Sequence, residues 1–134
     1  MKKGLLCFFF MFVAGCATLP PADPSVSVPQ VPEGEVVVYI RNGCPYCAHT
    51  LDILADALIV PQLRNITESR QAYQELLAIH RVHFPGQEPI VPVILTHRDI
   101  LRGYNAQSLN ELLSGEEISD RENHQHCLDA FDGT

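Results

Sequence analysis

Two cysteines with two residues between them, Cys44 and Cys47, are the side chains of this 134-residue chain best suited to covalent chemistry. They follow the run Val36-Val37-Val38-Tyr39-Ile40-Arg41-Asn42-Gly43, in which apolar residues give way to polar and glycine turn chemistry, and an amphipathic stretch begins at the second cysteine. The order is strand, loop, reactive cysteine, helix. With the first sulfur at the helix N-cap and the second one turn inside, the pair can close a small disulfide. The unpaired N–H groups and partial positive charge of a helix N-terminus stabilise a thiolate relative to a thiol, which makes Cys44 the expected nucleophile. Pro45 suits the first helical position, where its missing N–H costs nothing. The same spacing would also serve half of a zinc site or a structural disulfide. Zinc wants two further ligands at matching spacing, however, and there is no second C-x-x-C.

These thiols need a scaffold. Val36 to Ile40 is apolar at every position, the pattern of a central strand buried on both faces. Leu51, Leu54, Ala55 and Leu58 recur at helical spacing, which predicts a first helix from Cys47 to about Leu58. Ile59 to Leu63 reads as a second strand, and Pro61 places it at an edge because proline cannot donate to a ladder. Thr67 is the expected N-cap of a second helix whose face carries Ala72, Tyr73, Leu76, Leu77 and His80. Arg81 to Pro89 reads as a loop, with His83 and Phe84 the residues to test in it. Val91 to Thr96 and Ile100 to Arg102 are the remaining strands. Asn105 caps a short helix over Ala106 to Leu113, and Gly115 ends it.

The length allows one domain, and an apolar share of 46% is enough for a compact core. The formal net charge is −7 and the nine Lys and Arg are scattered, so nothing points to a nucleic-acid groove. Of five cysteines, Cys7 and Cys16 fall in the first segment, leaving Cys44, Cys47 and Cys127 for the body of the protein. That count excludes a disulfide-stapled scaffold.

The run Tyr39-x-Arg41-x-x-Cys44-Pro45-Tyr46-Cys47 resembles the dithiol active site of glutaredoxins, members of the thioredoxin-like superfamily. The resemblance extends over about Glu35 to Gly115. It implies an α/β fold with a four-stranded mixed sheet flanked by three helices, and an enzyme of thiol–disulfide exchange with no bound cofactor or metal and with glutathione as a co-substrate. Val91-Pro92 is similar to the cis-proline dipeptide of that superfamily, in which the residue before the proline offers its backbone to the thiol substrate. Arg102-Gly103-Tyr104-Asn105 falls where glutaredoxins carry a Gly-Gly-x-Asp turn that holds the glutamyl end of glutathione. Here Asn105 and Ala106 remove the acid. Arg41 stands where the family has a lysine that meets a glutathione carboxylate, a task open to a guanidinium. The implied catalytic pair is Cys44 and Cys47, and the implied binding residues are Arg41, Tyr46, Val91, Pro92, Gly103, Tyr104 and Asn105. The competing functions are a thiol oxidase or isomerase for exported proteins and a metal or iron–sulfur binding module.

The chain begins with Lys2 and Lys3, continues through an apolar run from Leu5 to Val13, and closes that segment on Val13-Ala14-Gly15-Cys16. The run is too short to span a bilayer and reads as an export signal. Its last four residues resemble the lipobox of bacterial lipoproteins, which implies acylation of Cys16; the other reading is an ordinary cleaved signal peptide. Ala17 after the cysteine points to the outer membrane, facing the periplasm. The expected organisation is a signal peptide over 1–16, a proline-rich tether over 17–34, the domain over 35–115 and an acidic, disordered tail over 116–134. The tail carries His124, His126 and Cys127, which read as a solvated stretch with a spare thiol, the other reading being an adventitious metal site. Expected partners are glutathione or exported thiol and disulfide proteins, met by a lipid-anchored monomer with no nucleic acid. Radioactive fatty acid should label the wild-type protein in a bacterial host and fail to label Cys16→Ala; label on both, or on neither, removes the lipoprotein assignment.

Overall fold

A computed structural model describes residues 20–115. Cys16 and the tail residues His124, His126 and Cys127 lie outside them. The elements in chain order are β1 (Val37–Ile40), α1 (Pro45–Asp56), β2 (Gln62–Asn65), α2 (Arg70–His83), β3 (Val93–Leu95), β4 (Ile100–Arg102) and α3 (Ala106–Ser114). The sheet order is β2-β1-β3-β4, with β1 parallel to β2 and antiparallel to β3, and β3 antiparallel to β4. This is the expected four-stranded mixed sheet with three helices. Among the described residues no helix is long and apolar enough to cross a membrane.

Strand alternation sorts the core into two faces. Val38 and Ile94 point to one side, where Leu54 of α1 and Leu109 of α3 cover them. Val37, Tyr39, Val93 and Leu95 point to the other, under Ala72, Leu76 and Ile79 of α2. Because β1 is buried on both faces, its sequence has no polar position until Arg41. The Tyr39 hydroxyl in this core donates to Glu75 at 2.9 Å, and Gln71 donates to the other Glu75 oxygen at 3.0 Å. Burial first, and then this bond, push the Tyr39 hydroxyl well above the usual phenol range.

Several boundaries differ from the expectation: α1 runs from Pro45 to Asp56 rather than from Cys47 to about Leu58, and β3 is confined to Val93–Leu95 within the expected Val91 to Thr96. The second strand begins at Gln62 rather than Ile59, since Pro61 has no N–H to give and the first bond of this ladder runs from Gln62 N to Val36 O at 2.8 Å. Val60 is left 94% exposed in the turn, although the strand does lie at a sheet edge. The cap of α2 is Ser69, whose oxygen accepts from Ala72 N at 3.1 Å, rather than Thr67. The helix then runs on to His83, past the point where a loop was expected at Arg81.

The proline-rich segment departs furthest from expectation. Prolines 20, 21, 24, 29 and 32 keep it without helix or strand, but it is not a free tether. It lies along α2 as a strap. Gln74 accepts from Asp23 N at 2.7 Å and donates to Pro21 O at 3.0 Å, and Arg81 donates to Val26 O at 3.0 Å. Val28 packs on the α2-side core, and Val31 is buried within it. The carbonyl of Val31 meets His97 Nδ1 at 3.1 Å. Composition alone favours a solvated linker, but valines at 28 and 31 gain more from burial than they lose in freedom once α2 offers an apolar face. Removing residues 20–34 should therefore cost about 2–4 kcal/mol of unfolding free energy, from two valines and their neighbouring bonds. Urea titration of the trimmed and full-length proteins measures this, and equal midpoints would show the strap to be idle.

Candidate active site

Residue 44 is the N-cap of α1, with φ −94° and ψ 107°, and Pro45 takes the first helical position. The Cys44 sulfur accepts a hydrogen bond from the backbone N–H of Cys47 at 3.2 Å. The two cysteines are joined in a disulfide, with Cα atoms 5.3 Å apart. Cys47 is only 4% exposed, whereas Cys44 is part-exposed at the helix mouth. Of the two sulfurs, the one bonded to the helix N-terminus is therefore also the one an incoming molecule can reach.

The loop that delivers Cys44 is held from the β2 side. Asn42 N donates to Thr67 Oγ1 at 3.1 Å, and the Asn42 side chain accepts from Asn65 Nδ2 at 2.7 Å and donates to Glu68 at 3.3 Å. Asn65 in turn accepts from Thr67 N at 3.0 Å, closing a polar network. Gly43 takes φ +70°, a left-handed turn that glycine adopts without a steric penalty. Thr67, expected as a helix cap, is spent on this loop instead.

The Val91–Pro92 bond is cis, as the sequence resemblance implied, and Pro92 is fully buried. The register pairs Tyr39 with Val93 and Val93 with Arg102. The exit of β1 toward Cys44, the entry to β3 from Pro92 and the exit of β4 toward Gly103 thus share one end of the sheet. Gly103 N donates to Pro92 O at 2.8 Å, which ties the β4–α3 turn to the proline. Gly103 has φ +79°, a conformation that calls for glycine, and a Cβ there would press on Ile90 Cδ1 at 3.2 Å.

Tyr104 stacks on Tyr46 with ring centroids 5.9 Å apart and planes 26° from parallel, and both rings are exposed. His49 lies 5.8 Å from the Tyr104 ring. Sequence reasoning placed Tyr46 and Tyr104 but overlooked His49, although Tyr46 and His49 are three residues apart on α1 and so share a face. It also missed the Asn42 network, which no local pattern announces.

The remaining sequence-predicted residues are less tightly gathered. The Asn105 side-chain oxygen accepts from Ser108 N at 3.1 Å as the N-cap of α3, so this oxygen is already engaged. Arg41 is exposed beside the Cys44 loop and forms no ion pair among the described residues. Val91 is half-buried against the α2-side core. A cleft of about 590 Å³ runs along β4 and α3, lined in part by Thr50, Arg102, Gly103, Asn105 and Ser108. Among the described residues no cluster of three His, Cys, Asp or Glu side chains is placed to hold a metal ion.

Residues 36–97 match the family model of glutaredoxin. Among solved structures, the glutaredoxin of Archaeoglobus fulgidus is similar over 59% of this chain and 85% of its own, at 25% identity and a TM-score of 0.50. The glutaredoxin of Methanosarcina mazei Go1 is similar over 64% of this chain and 84% of its own, at 19% identity and a TM-score of 0.50. The thioredoxin-like protein BC3987 is similar over 58% of this chain and 99% of its own, at 17% identity and a TM-score of 0.50. The last two bear on the fold alone. No curated protein matches the chain. Strand, loop and helix present Cys44 and Cys47 within a thioredoxin-like fold, and the glutaredoxin family model matches across them over residues 36–97; the chain is a thiol–disulfide oxidoreductase.

Proposed function

We propose that the protein exchanges disulfides at the periplasmic face of the bacterial envelope, anchored through Cys16, with glutathione mixed disulfides as substrates and Cys44 as the attacking sulfur. One observation carries the choice of nucleophile: the part-exposed Cys44 sulfur accepts the Cys47 N–H at the mouth of α1. After reduction the same N–H, with the helix dipole behind it, meets a thiolate and stabilises it.

The reduced Cys44 thiolate attacks one sulfur of the substrate disulfide, forming a mixed disulfide and expelling the other sulfur as a thiolate that takes a proton from solvent. The Cys47 thiolate then attacks the Cys44 sulfur and releases the second substrate thiol, leaving the Cys44–Cys47 disulfide. Two electrons pass to the substrate, whose second sulfur also leaves as a thiolate and takes up the equivalent of the proton that Cys47 lost on ionising. Two glutathione molecules return the enzyme to its dithiol form and become glutathione disulfide. Cys47, buried one turn inside the helix, suits the resolving role because the first sulfur of a substrate cannot reach it.

For binding, the Arg41 guanidinium supplies a cation for a glutathione carboxylate, and the Val91 backbone, two residues ahead of the β3 ladder, supplies a strand-like edge. Tyr46 and Tyr104 form an apolar wall beside the sulfurs. The turn from Gly103 to Asn105 offers no carboxylate to the glutathione ammonium.

Two measurements test this. Iodoacetamide alkylation of the reduced protein should titrate at Cys44 with a midpoint below the ordinary thiol value of about 8.5, and an ordinary midpoint would remove the helix-mouth argument. With a glutathionylated peptide, Cys44→Ser should abolish turnover while Cys47→Ser keeps glutathione-dependent turnover; wild-type turnover in Cys44→Ser would sink the assignment.

A further inference from the structure

The segment from Phe84 to Ile90 leads into the cis-proline edge and is fastened at two points to the α2 face. His80, 3% exposed near the end of α2, has its Nδ1 3.0 Å from Leu76 O and its Nε2 3.3 Å from Ile90 N. The Ile90 N–H needs a lone pair, so Nε2 carries no hydrogen, and Nδ1 carries the one it donates to Leu76 O. At the second point, Arg102 Nη2 donates to Glu88 O at 2.8 Å. Phe84 lies between them, its ring 5.5 Å from that of His80 and its centroid 5.9 Å from the Arg102 guanidinium carbon.

Ile90 is one residue from Val91, and its side chain rests against Gly103, whose N–H bonds the Pro92 carbonyl. The His80–Ile90 bond thus fixes the backbone just upstream of Val91–Pro92. We propose that His80 is a positioning residue of the exchange site: its bare Nε2 holds the Ile90 amide and with it the substrate-binding edge at Val91, and a proton on that nitrogen releases it.

Protonation at Nε2 replaces the acceptor with a donor that faces the Ile90 donor, so the bond cannot persist. It also sets a second cation opposite Arg102, the charged group of β4 that acts on this ring. Among the described residues the ring's hydrogen-bond and aromatic partners are the Leu76 carbonyl of its own helix, the Phe84 ring and the Ile90 amide. Burial, the largest influence, and the Arg102 charge both hold the His80 pKa below the ordinary histidine value, while the bond to Leu76 O opposes them. The latch is therefore closed at neutral pH and opens in acid. The Arg102–Glu88 bond lies two residues upstream and does not itself hold the Ile90 amide.

The kinetic part of this inference rests on the exchange reading above, and the test separates the two. Full-length wild type, His80→Gln and His80→Leu are compared across mildly acidic to neutral pH by NMR of the Ile90 and Val91 amides and by turnover of a glutathionylated peptide. Gln offers an oxygen acceptor that does not titrate, and Leu offers none. In the wild type the Ile90 amide should shift and lose its exchange protection as His80 titrates; in His80→Gln it should stay protected throughout. His80→Leu should raise KM about fivefold at neutral pH and leave kcat within about twofold, as expected for a lost binding edge with intact sulfur chemistry. The wild type should approach the His80→Leu KM in acid, whereas His80→Gln should not. An Ile90 amide indifferent to the His80 titration, or equal KM in all three proteins at every pH, overturns the latch. Absent turnover in the wild type overturns the exchange reading instead, and the amide signals alone then support or overturn the latch.

Discussion

Everything in this molecule that concerns sulfur depends on one contact, the backbone N–H of Cys47 donating to the sulfur of Cys44 at the first turn of α1. That bond exists only if residue 44 stays extended while residue 45 turns helical, a junction that Pro45 favours by fixing its own φ and lacking an N–H. The contact also divides labour between two chemically identical side chains. One lies part-exposed in the cap and the other is buried beneath it, so exposure and the helix-terminal N–H fall on the same sulfur.

Holding that junction in place requires β1 to end where it does. The strand is gripped by parallel and antiparallel neighbours at once, and its Tyr39 hydroxyl is bound to a buried carboxylate of α2. A polar pair inside an apolar core is tolerated here because the Glu75 oxygens are taken up by Tyr39 and Gln71. The bond fixes α2 to the strand that carries the thiols, and the strap across α2 closes the far side of the same layer. The proline-rich stretch is thus part of the fold it precedes, and whatever reach it could have had as a linker is lost to packing.

The site itself is built from unlike halves. On the β2 side, a small network of asparagine, threonine and glutamate side chains pins the loop before Cys44. On the α3 side, stacked tyrosines and a histidine form an exposed aromatic wall. Between them the cis-proline dipeptide is approached by a segment held through His80 and Arg102. In the turn after β4, Asn105 spends its oxygen on capping α3, so the turn keeps its shape without presenting a negative charge to a ligand.

The chemistry was legible in the sequence because it is local. A C-x-x-C after an apolar strand, a proline at the first helical position and a Val-Pro opening a later strand each report on neighbours within a few residues. The four strands and three helices followed from short periodic runs for the same reason, with errors where a single residue overrode the run, as Pro61 did in delaying β2 and Ser69 did in displacing Thr67 as cap. What local pattern could not settle was which polar side chains meet across the fold. Thr67 serves the Asn42 loop, Gln74 and Arg81 hold the strap, and His80 reaches the Ile90 amide, all through contacts whose energy depends on partners 10 to more than 50 residues away. Composition reads residues 17–34 as linker because it scores the segment against water. Only the assembled apolar face of α2 gives Val28 and Val31 somewhere better to be.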